Sequence, residues 1–229
     1  MAWTIQTEIN TEVDILRKVS GDSEDVTINI QWGYPYFYRW YKIGEPNHKR
    51  WWWNNIKSDW TMIDAGANVG IFSIIFGKKA KKVYAFEPTD TVQSLEKNLK
   101  ANNVNNVEII KKALGRKVET KKDKIYHIWG GSEPLNEVFD FVTIDSFVEE
   151  RKIKVDAIKI DVDSYDYEVL VGAEDTLKSQ RPIVIVEITD VALKLRNVNS
   201  RKIISFMDEM NYEIKEIFDN ENYLFVPKI

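Results

Sequence analysis

Met62-Ile-Asp-Ala-Gly-Ala-Asn-Val-Gly-Ile-Phe-Ser73 is the stretch on which the reading of this chain turns. A short apolar run suited to a buried strand meets a loop with glycines at Gly66 and Gly70, and an apolar segment with helical spacing follows. Glycine has no Cβ, so a strand, loop and helix joined this way let backbone approach a nucleotide-like ligand at a helix N-terminus. The spacing is G-x-x-x-G rather than the G-x-G-x-x-G of a dinucleotide fingerprint, and a nicotinamide cofactor is disfavoured.

Charge sharpens this reading. Asp64 ends the strand, where a carboxylate repels a pyrophosphate but suits a ligand carrying an ammonium and a sulfonium, as a methyl donor does. About twenty residues on, Ala85-Phe-Glu87-Pro88 ends a second strand with an acid placed to accept both hydroxyls of a ribose. A tight turn and a solvated strand end explain each feature singly, but their combination favours a nucleoside-binding βαβ unit.

Working outward, strands and helices alternate. Thr61 to Asp64, Lys82 to Phe86 and Val107 to Lys112 read as strands, with helices at Val69 to Lys79 and Thr91 to Asn102, the pattern of a parallel sheet. Lys121 to Ile128 and Phe139 to Thr143 read as short extended pieces. The alternation then resumes with a strand at Asp156 to Ile160, a helix at Tyr165 to Leu177 and a buried strand at Pro182 to Ile188. A helix at Ser200 to Met210, capped by Ser200, leads to a hairpin over Tyr212 to Val226 turned at Asp219-Asn220. The expected fold is α/β: a mostly parallel sheet with an antiparallel C-terminal hairpin and helices on both faces.

Residues 1–59 differ in character. They hold Trp3, Trp32, Trp40, Trp51, Trp52 and Trp53, and Trp60 follows directly, so all but one of the eight tryptophans fall here. Val26 to Trp32 reads as a strand, Gly33 to Pro35 as a turn and Tyr36 to Ile43 as a second extended piece, together an aromatic cap or lid. Adjacent Trp51, Trp52 and Trp53 cannot share one face of a helix or strand, which points to an exposed ring or a homodimer contact.

Composition excludes several classes. The 229 residues carry 32 basic and 36 acidic side chains for a net charge of -4, so no cationic field for nucleic acid is signalled. With no cysteine there are no disulfides, thiolate metal sites or thiol nucleophiles. No stretch is apolar and long enough to span a membrane, and no leader is evident, so a cytoplasmic setting is expected. Two histidines, His48 and His127, leave carboxylates and lysines as the main candidates for acid, base or metal ligand.

The chain resembles the FkbM-type methyltransferases over about Thr61 to Ile188. The carriers are Ile63-Asp-Ala-Gly-Ala-Asn-Val-Gly-Ile-Phe-Ser73, Phe86-Glu-Pro88, Lys97-Asn-Leu-Lys-Ala-Asn102, Ala113-Leu-Gly115, Val142-Thr-Ile-Asp-Ser-Phe147, and Ile158-Lys-Ile-Asp-Val-Asp163 followed by Glu168-Val-Leu-Val-Gly-Ala173. The resemblance implies a class I, Rossmann-like methyltransferase domain over 60–229 that uses S-adenosylmethionine, most members methylating hydroxyls of sugars, polyketides and related small molecules. It implies that Asp64, Gly66, Asn68 and Gly70 surround the methionine moiety, that Glu87 beside Pro88 holds the ribose, and that Lys112 to Leu114, with Ala113 at the centre, flank the adenine. Asp161 would face the transferring methyl. Where the family usually reads Asp-Val-Glu-Gly, this chain has Asp161-Val-Asp163-Ser164.

Methyl transfer needs alignment and a way to deprotonate the acceptor. Asp161, Glu187 and Asp163 are the catalytic candidates, gathered at the carboxyl edge of the sheet with Asp166 close by. Asp163 or Ser164 serving only as a helix cap is the plainer alternative. By analogy with catechol-type O-methyltransferases, Asp161 and Glu187 are also candidate ligands for a magnesium ion. Lys159, inside a strand, is expected either to reach an acid at the strand end or to sit at the sheet margin. His127 is a weaker candidate base, and Gly130, Gly131 and Ser132 are candidate cofactor contacts. The alternative to an enzyme is a non-catalytic cofactor-binding or assembly module on the same fold.

Overall fold

The computed structural model describes residues 7–16, 26–33, 44–125 and 133–229. The turn after Gly33, the segment Tyr36 to Ile43, His127 and the Gly130-Gly131-Ser132 loop lie outside the described residues. Two strands, β1 (Thr7–Leu16) and β2 (Val26–Gly33), pair antiparallel. The sequence reading gives β2 but not β1, which pairs with it through two register shifts.

Helix α1 (Pro46–Asn55) starts on a proline, whose fixed φ and missing N–H suit the first helical turn. The tryptophan triplet lies on it. Trp52 is fully buried, with its ring edge-on to Phe76, while Trp51 and Trp53 are half-buried against Phe218 and the Lys79 ammonium. Trp52, Ile56 and Trp60 join the same apolar cluster as Ile74, Phe76 and Val83, so the core continues across residue 60.

The body alternates as the sequence indicates. It runs through β3 (Thr61–Ala65), α2 (Ile71–Gly77), β4 (Lys82–Phe86), α3 (Val92–Ala101), β5 (Val107–Ile110), β6 (Ala113–Leu114), β7 (Glu119–Ile125), β8 (Leu135–Val142) and α4 (Ile144–Arg151). It continues with β9 (Ala157–Ile160), α5 (Asp166–Val171), α6 (Glu174–Gln180), β10 (Ile183–Glu187), α7 (Asp190–Leu193), a 3-10 turn (Lys194–Arg196), α8 (Ser200–Glu209), β11 (Tyr212–Phe218) and β12 (Asn222–Pro227). Seven strands form one sheet in the order β11-β12-β10-β9-β3-β4-β5, parallel from β10 to β5 with β12 antiparallel to both of its neighbours.

Alternate residues of each strand feed two cores. Met62, Val83, Ala157 and Ile185 pack toward α1, α2 and α3, while Ile63, Tyr84, Ile158 and Val184 pack toward α4, α5, α6 and α8. That two-residue period places helices on both faces of the sheet. The chain leaves β3 toward β5 and returns to the other side of β3 as β9, so the topology switches between β3 and β9, where open α/β sheets bind ligands.

Several boundaries move for identifiable reasons. Gly70 adopts φ 97° and caps α2, which therefore begins at Ile71 rather than Val69. The strand expected to run to Lys112 stops at Ile110; Ala113 and Leu114 leave the main sheet and pair with β8, which also pairs with β7 in a separate three-stranded sheet. Asn199, not Ser200, caps α8, its side chain accepting from the Lys202 N–H at 3.1 Å. Helix α4 was not anticipated; Thr143 and Ser146 close a capping box whose third helical residue is serine rather than the usual glutamate or glutamine.

The single helix expected over Tyr165 to Leu177 is two. At the break, a Cβ on Gly172 would lie 2.1 Å from the Gly115 carbonyl oxygen, so backbone packs directly on backbone. The Gly172 carbonyl accepts from the Asp145 N–H, and the Asp145 carboxylate in turn accepts from the N–H groups of Asp175 and Thr176 at the start of α6. The Ile-Asp-Ser and Val-Gly-Ala motifs thus meet as one joint. Gly172→Ala should destabilise the fold by about 1 to 3 kcal/mol through overpacking, read as a lower urea midpoint with an unchanged slope.

The hairpin turns where the sequence places it. Asp219 and Asn220 both have positive φ, and the Glu221 N–H donates to the Phe218 carbonyl, closing the turn between the partnered Phe218 and Asn222. Strand β11 forms one edge of the sheet and carries a register shift between Ile214 and Glu216.

Candidate active site

A cavity of about 370 Å³ opens at the carboxyl ends of β3, β4, β9 and β10. Its first wall is the glycine loop. The N–H groups of Gly66 and Ala67 both donate to the Phe86 carbonyl, which pins the loop to the end of β4. Gly66 has φ 80°, and a Cβ there would lie 1.9 Å from the Asp161 carbonyl oxygen. Asn98, wholly buried on α3, donates to the Val69 carbonyl at 2.8 Å and so gives the Lys97-to-Asn102 motif its structural task.

Glu87 lines the cavity and is held from two sides. Its Oε2 accepts from the Asn68 N–H at 3.0 Å, and its Oε1 accepts from the Thr89 N–H and hydroxyl at 2.9 and 2.6 Å. Pro88, Lys112, Ala113 and Leu114 continue this wall, and Ile125 and Phe141 from the smaller sheet complete an apolar end. Gly66, Asn68, Glu87, Pro88 and Ala113 are therefore brought together around one space.

Asp64 and Gly70 are placed elsewhere, and neither lines the cavity. Gly70 shapes the helix start. Asp64 is fully buried; Ser73 Oγ donates to its Oδ2 at 2.6 Å, and the Lys159 ammonium lies 3.6 Å from its Oδ1. Direct contact between Asp64 and a ligand ammonium, expected from the sequence, is replaced by a buried ion pair beneath the cavity floor.

Lys159 is 1% exposed and faces three oxygens: Asp161 Oδ2 at 3.0 Å, Asp64 Oδ1 and the Gly66 carbonyl. Asp64 and Lys159 are register partners on adjacent parallel strands, which puts the pair side by side. Of the two sequence expectations for Lys159, the strand-end acid is the one realised. Burial alone would lower its pKa; Asp161 and Asp64 outweigh that and hold the amine above the ordinary lysine range.

Asp161, Asp163 and Glu187 all line the cavity, joined by Glu221 and Thr189. Burial and the neighbouring charges of Asp161 and Glu87 push Asp163 up to about 7. Burial, then Asp161 and Asp166, raise Glu187 well above the usual glutamate range, and burial with Glu45 and Asp161 raises Glu221. Carboxylates thus outnumber cations around this space, and the site is short of positive charge.

Neither Asp163 nor Ser164 caps α5. Asp166 turns back to accept from the Val162 N–H at 3.0 Å, while Asp163 sits at φ 60°. The suggested magnesium pair is not supported either: among the described residues no group of three or more His, Cys, Asp or Glu is arranged to hold a metal ion, and Asp161 is committed to Lys159. His48 is a core residue. It accepts from Trp52 Nε1 at 2.8 Å, faces Glu45, and has its pKa lowered by burial.

The sequence reading missed Glu221 and Thr189, because placing them requires knowing that the turn before β12 lands beside the end of β10, where the Ile188 N–H donates to the Glu221 carbonyl. It also missed Tyr165, Lys124 and Ile125 on the opposite wall. Among the described residues, no helix is long and apolar enough to cross a membrane.

Strand order, glycine loop, strand-end acid and carboxyl-edge cavity together define the class I methyltransferase fold. The chain belongs to the FkbM methyltransferase family: the model described as the methyltransferase FkbM domain matches residues 64–214. No curated protein matches the sequence. Among solved structures, the methyltransferase FkbM from Methylobacillus flagellatus KT is similar over 75% of this chain, with 17% identity and a TM-score of 0.53, and the chain spans 44% of that protein's length. The precorrin-6y C5,15-methyltransferase from Geobacter metallireducens GS-15 is similar over 82% of this chain and 90% of its own, at 14% identity and a TM-score of 0.53. A Streptococcus mutans protein in complex with SAH shares 12% identity, with 78% of this chain and 93% of that one covered and a TM-score of 0.51.

The raised pKa of Asp163 has a stability consequence. In the folded state this acid holds its proton to higher pH than in the unfolded chain, so its contribution is present below about pH 4 and is lost as pH rises through about 7. Asp163→Asn should therefore gain stability relative to wild type between about pH 5 and pH 8, measured by urea unfolding at both. An unchanged difference would show that Asp163 titrates normally.

Proposed function

We propose that the chain transfers a methyl group from S-adenosylmethionine to a hydroxyl of a small acceptor of sugar, glycan or natural-product type. The supporting observation is a single cavity with a nucleoside-type acid, Glu87, on one wall and Asp161, Asp163 and Glu187 on another. Its volume lies within the ordinary range for small-molecule sites. The carboxylate excess fits the donor, whose sulfonium and ammonium are cationic.

In this reading Glu87 accepts from the ribose hydroxyls, the glycine loop and Asn68 border the methionine portion, and Ala113 with its neighbours borders the adenine. When bound, the donor supplies a methyl carbon made electrophilic by its sulfonium. Asp163 is the general base, because a carboxyl titrating near 7 both exists as the base and draws a proton effectively at neutral pH. It takes the acceptor hydroxyl proton as the new C–O bond forms and the methyl C–S bond breaks, its electron pair passing to sulfur so that S-adenosylhomocysteine leaves as the neutral thioether. Asp161, fixed by Lys159, orients the acceptor, and Glu187 faces it across the cavity.

Calorimetric titration with S-adenosylhomocysteine should show binding that Glu87→Ala weakens by about tenfold or more. Failure of wild type to bind either the donor or its product would remove the proposal. Because the donor's cation favours ionised Asp163, donor affinity should rise with pH through about 7 and binding should release protons below it. Titrations in buffers of different ionisation enthalpy measure that release. With an acceptor in hand, Asp163→Asn should lower kcat by about 100-fold or more while product binding persists; undiminished turnover would assign the base elsewhere.

A further inference from the structure

The smaller sheet that builds the apolar end of the cavity packs Phe141 against Tyr165, and beside that ring contact one carboxylate ties it to two further segments. Asp123, on β7, receives the Tyr165 hydroxyl and both terminal nitrogens of Arg196, Nη2 to Oδ1 at 3.0 Å and Nη1 to Oδ2 at 3.3 Å. Arg196 Nη2 also donates to the Lys124 carbonyl at 3.1 Å, and its Nε to Ser164 Oγ at 3.4 Å. The guanidinium carbon lies over the Tyr165 ring, 3.8 Å from its centroid. Lys121 adds a second cation 3.2 Å from Asp123.

Three separate segments meet here: β7, the loop after β9, and the 3-10 turn after α7. The residues flanking the clamp are those that wall the cavity, namely Lys124 and Ile125 on one side and Ser164 and Tyr165 on the other. The forked guanidinium matches a carboxylate in two parallel bonds, a geometry lysine cannot reproduce. Partial burial opposes ionisation of Asp123, but Arg196 and Tyr165 outweigh it and hold its pKa below the ordinary aspartate range. The clamp is therefore charged throughout the working pH range.

We propose that the Asp123–Arg196 clamp is a positioning device for the cofactor end of the site: it holds β7 and Tyr165 closed over the bound nucleoside and sets how long that ligand stays. Asp123 acts through Tyr165 and Ile125 rather than by touching the reacting atoms. The inference rests on the methyltransferase reading for the identity of the ligand.

The test is dissociation of S-adenosylhomocysteine from the full chain by stopped-flow, with wild type, Asp123→Asn, Arg196→Lys and the double exchange Asp123→Arg with Arg196→Asp. Arg116→Gln serves as control, since it breaks an ion pair to Glu168 near the same sheet without facing the cavity. Asp123→Asn and Arg196→Lys should each speed dissociation by about tenfold or more. Association should change little, the control should behave as wild type, and the double exchange should recover part of the loss. In steady state the same variants should raise KM for the donor more than they lower kcat. Should Asp123→Asn fail to fold, Arg196→Lys carries the test alone.

Dissociation rates equal to wild type in both single variants, or an equal change in the control, would overturn the clamp while leaving the methyltransferase reading intact. Absence of binding to wild type would overturn both.

Discussion

A buried ammonium between two carboxylates organises this molecule. Lys159 sits near the centre of the sheet, within reach of Asp64 on the neighbouring strand and Asp161 at its own strand's end. Burying a lone charge is costly, so each member of the trio is tolerable only because the others are present. The trio also fixes geometry. It links β3 to β9 at the point where the topology switches, and the Gly66 loop crosses directly over it, close enough that any side chain there would collide with the Asp161 carbonyl. The cavity floor is thus defined by electrostatics and its shape by a missing Cβ.

Above that floor the balance tips the other way. Asp163, Glu187 and Glu221 face the same space with their pKa values raised, chiefly by burial and then by Asp161 for the first two and by Glu45 for Glu221. A cation entering this space would favour the ionised forms of these acids, so ligand charge and proton release would be linked through one set of groups. The Asp161-to-Ser164 segment differs from the usual family sequence, and in it Asp163 adopts a left-handed backbone.

Much of this was legible in the sequence. The βαβ alternation and the hairpin turn at Asp219-Asn220 follow from periodicity and turn chemistry, while a shared place for Gly66, Asn68, Glu87 and Ala113, which all line one cavity, was implied by the family resemblance. What was not legible depends on contacts distant in sequence. Asp64 reads as a ligand-facing acid because its partner Lys159 is 95 residues away and is adjacent only once β3 and β9 pair. The break between α5 and α6 reflects a backbone contact between Gly172 and Gly115, which periodicity within the segment cannot reveal. Helix α4 was hidden because its capping box closes on serine, and Glu221 because its place depends on the order of strands rather than on any motif.

The irregularity in β11 bears on how the molecule meets copies of itself. An edge strand offers unpaired backbone groups to any similar edge, and this one exposes Ile214 and Ile217. The register shift at Ile214 to Glu216 breaks the even spacing of those groups, and the charged Glu213, Lys215 and Glu216 are interleaved with the isoleucines. Strand-by-strand continuation of the sheet from one molecule into the next is thereby disfavoured on this side, and the hairpin that contributes Glu221 to the cavity also acts as a terminus that guards the sheet against edge-to-edge aggregation.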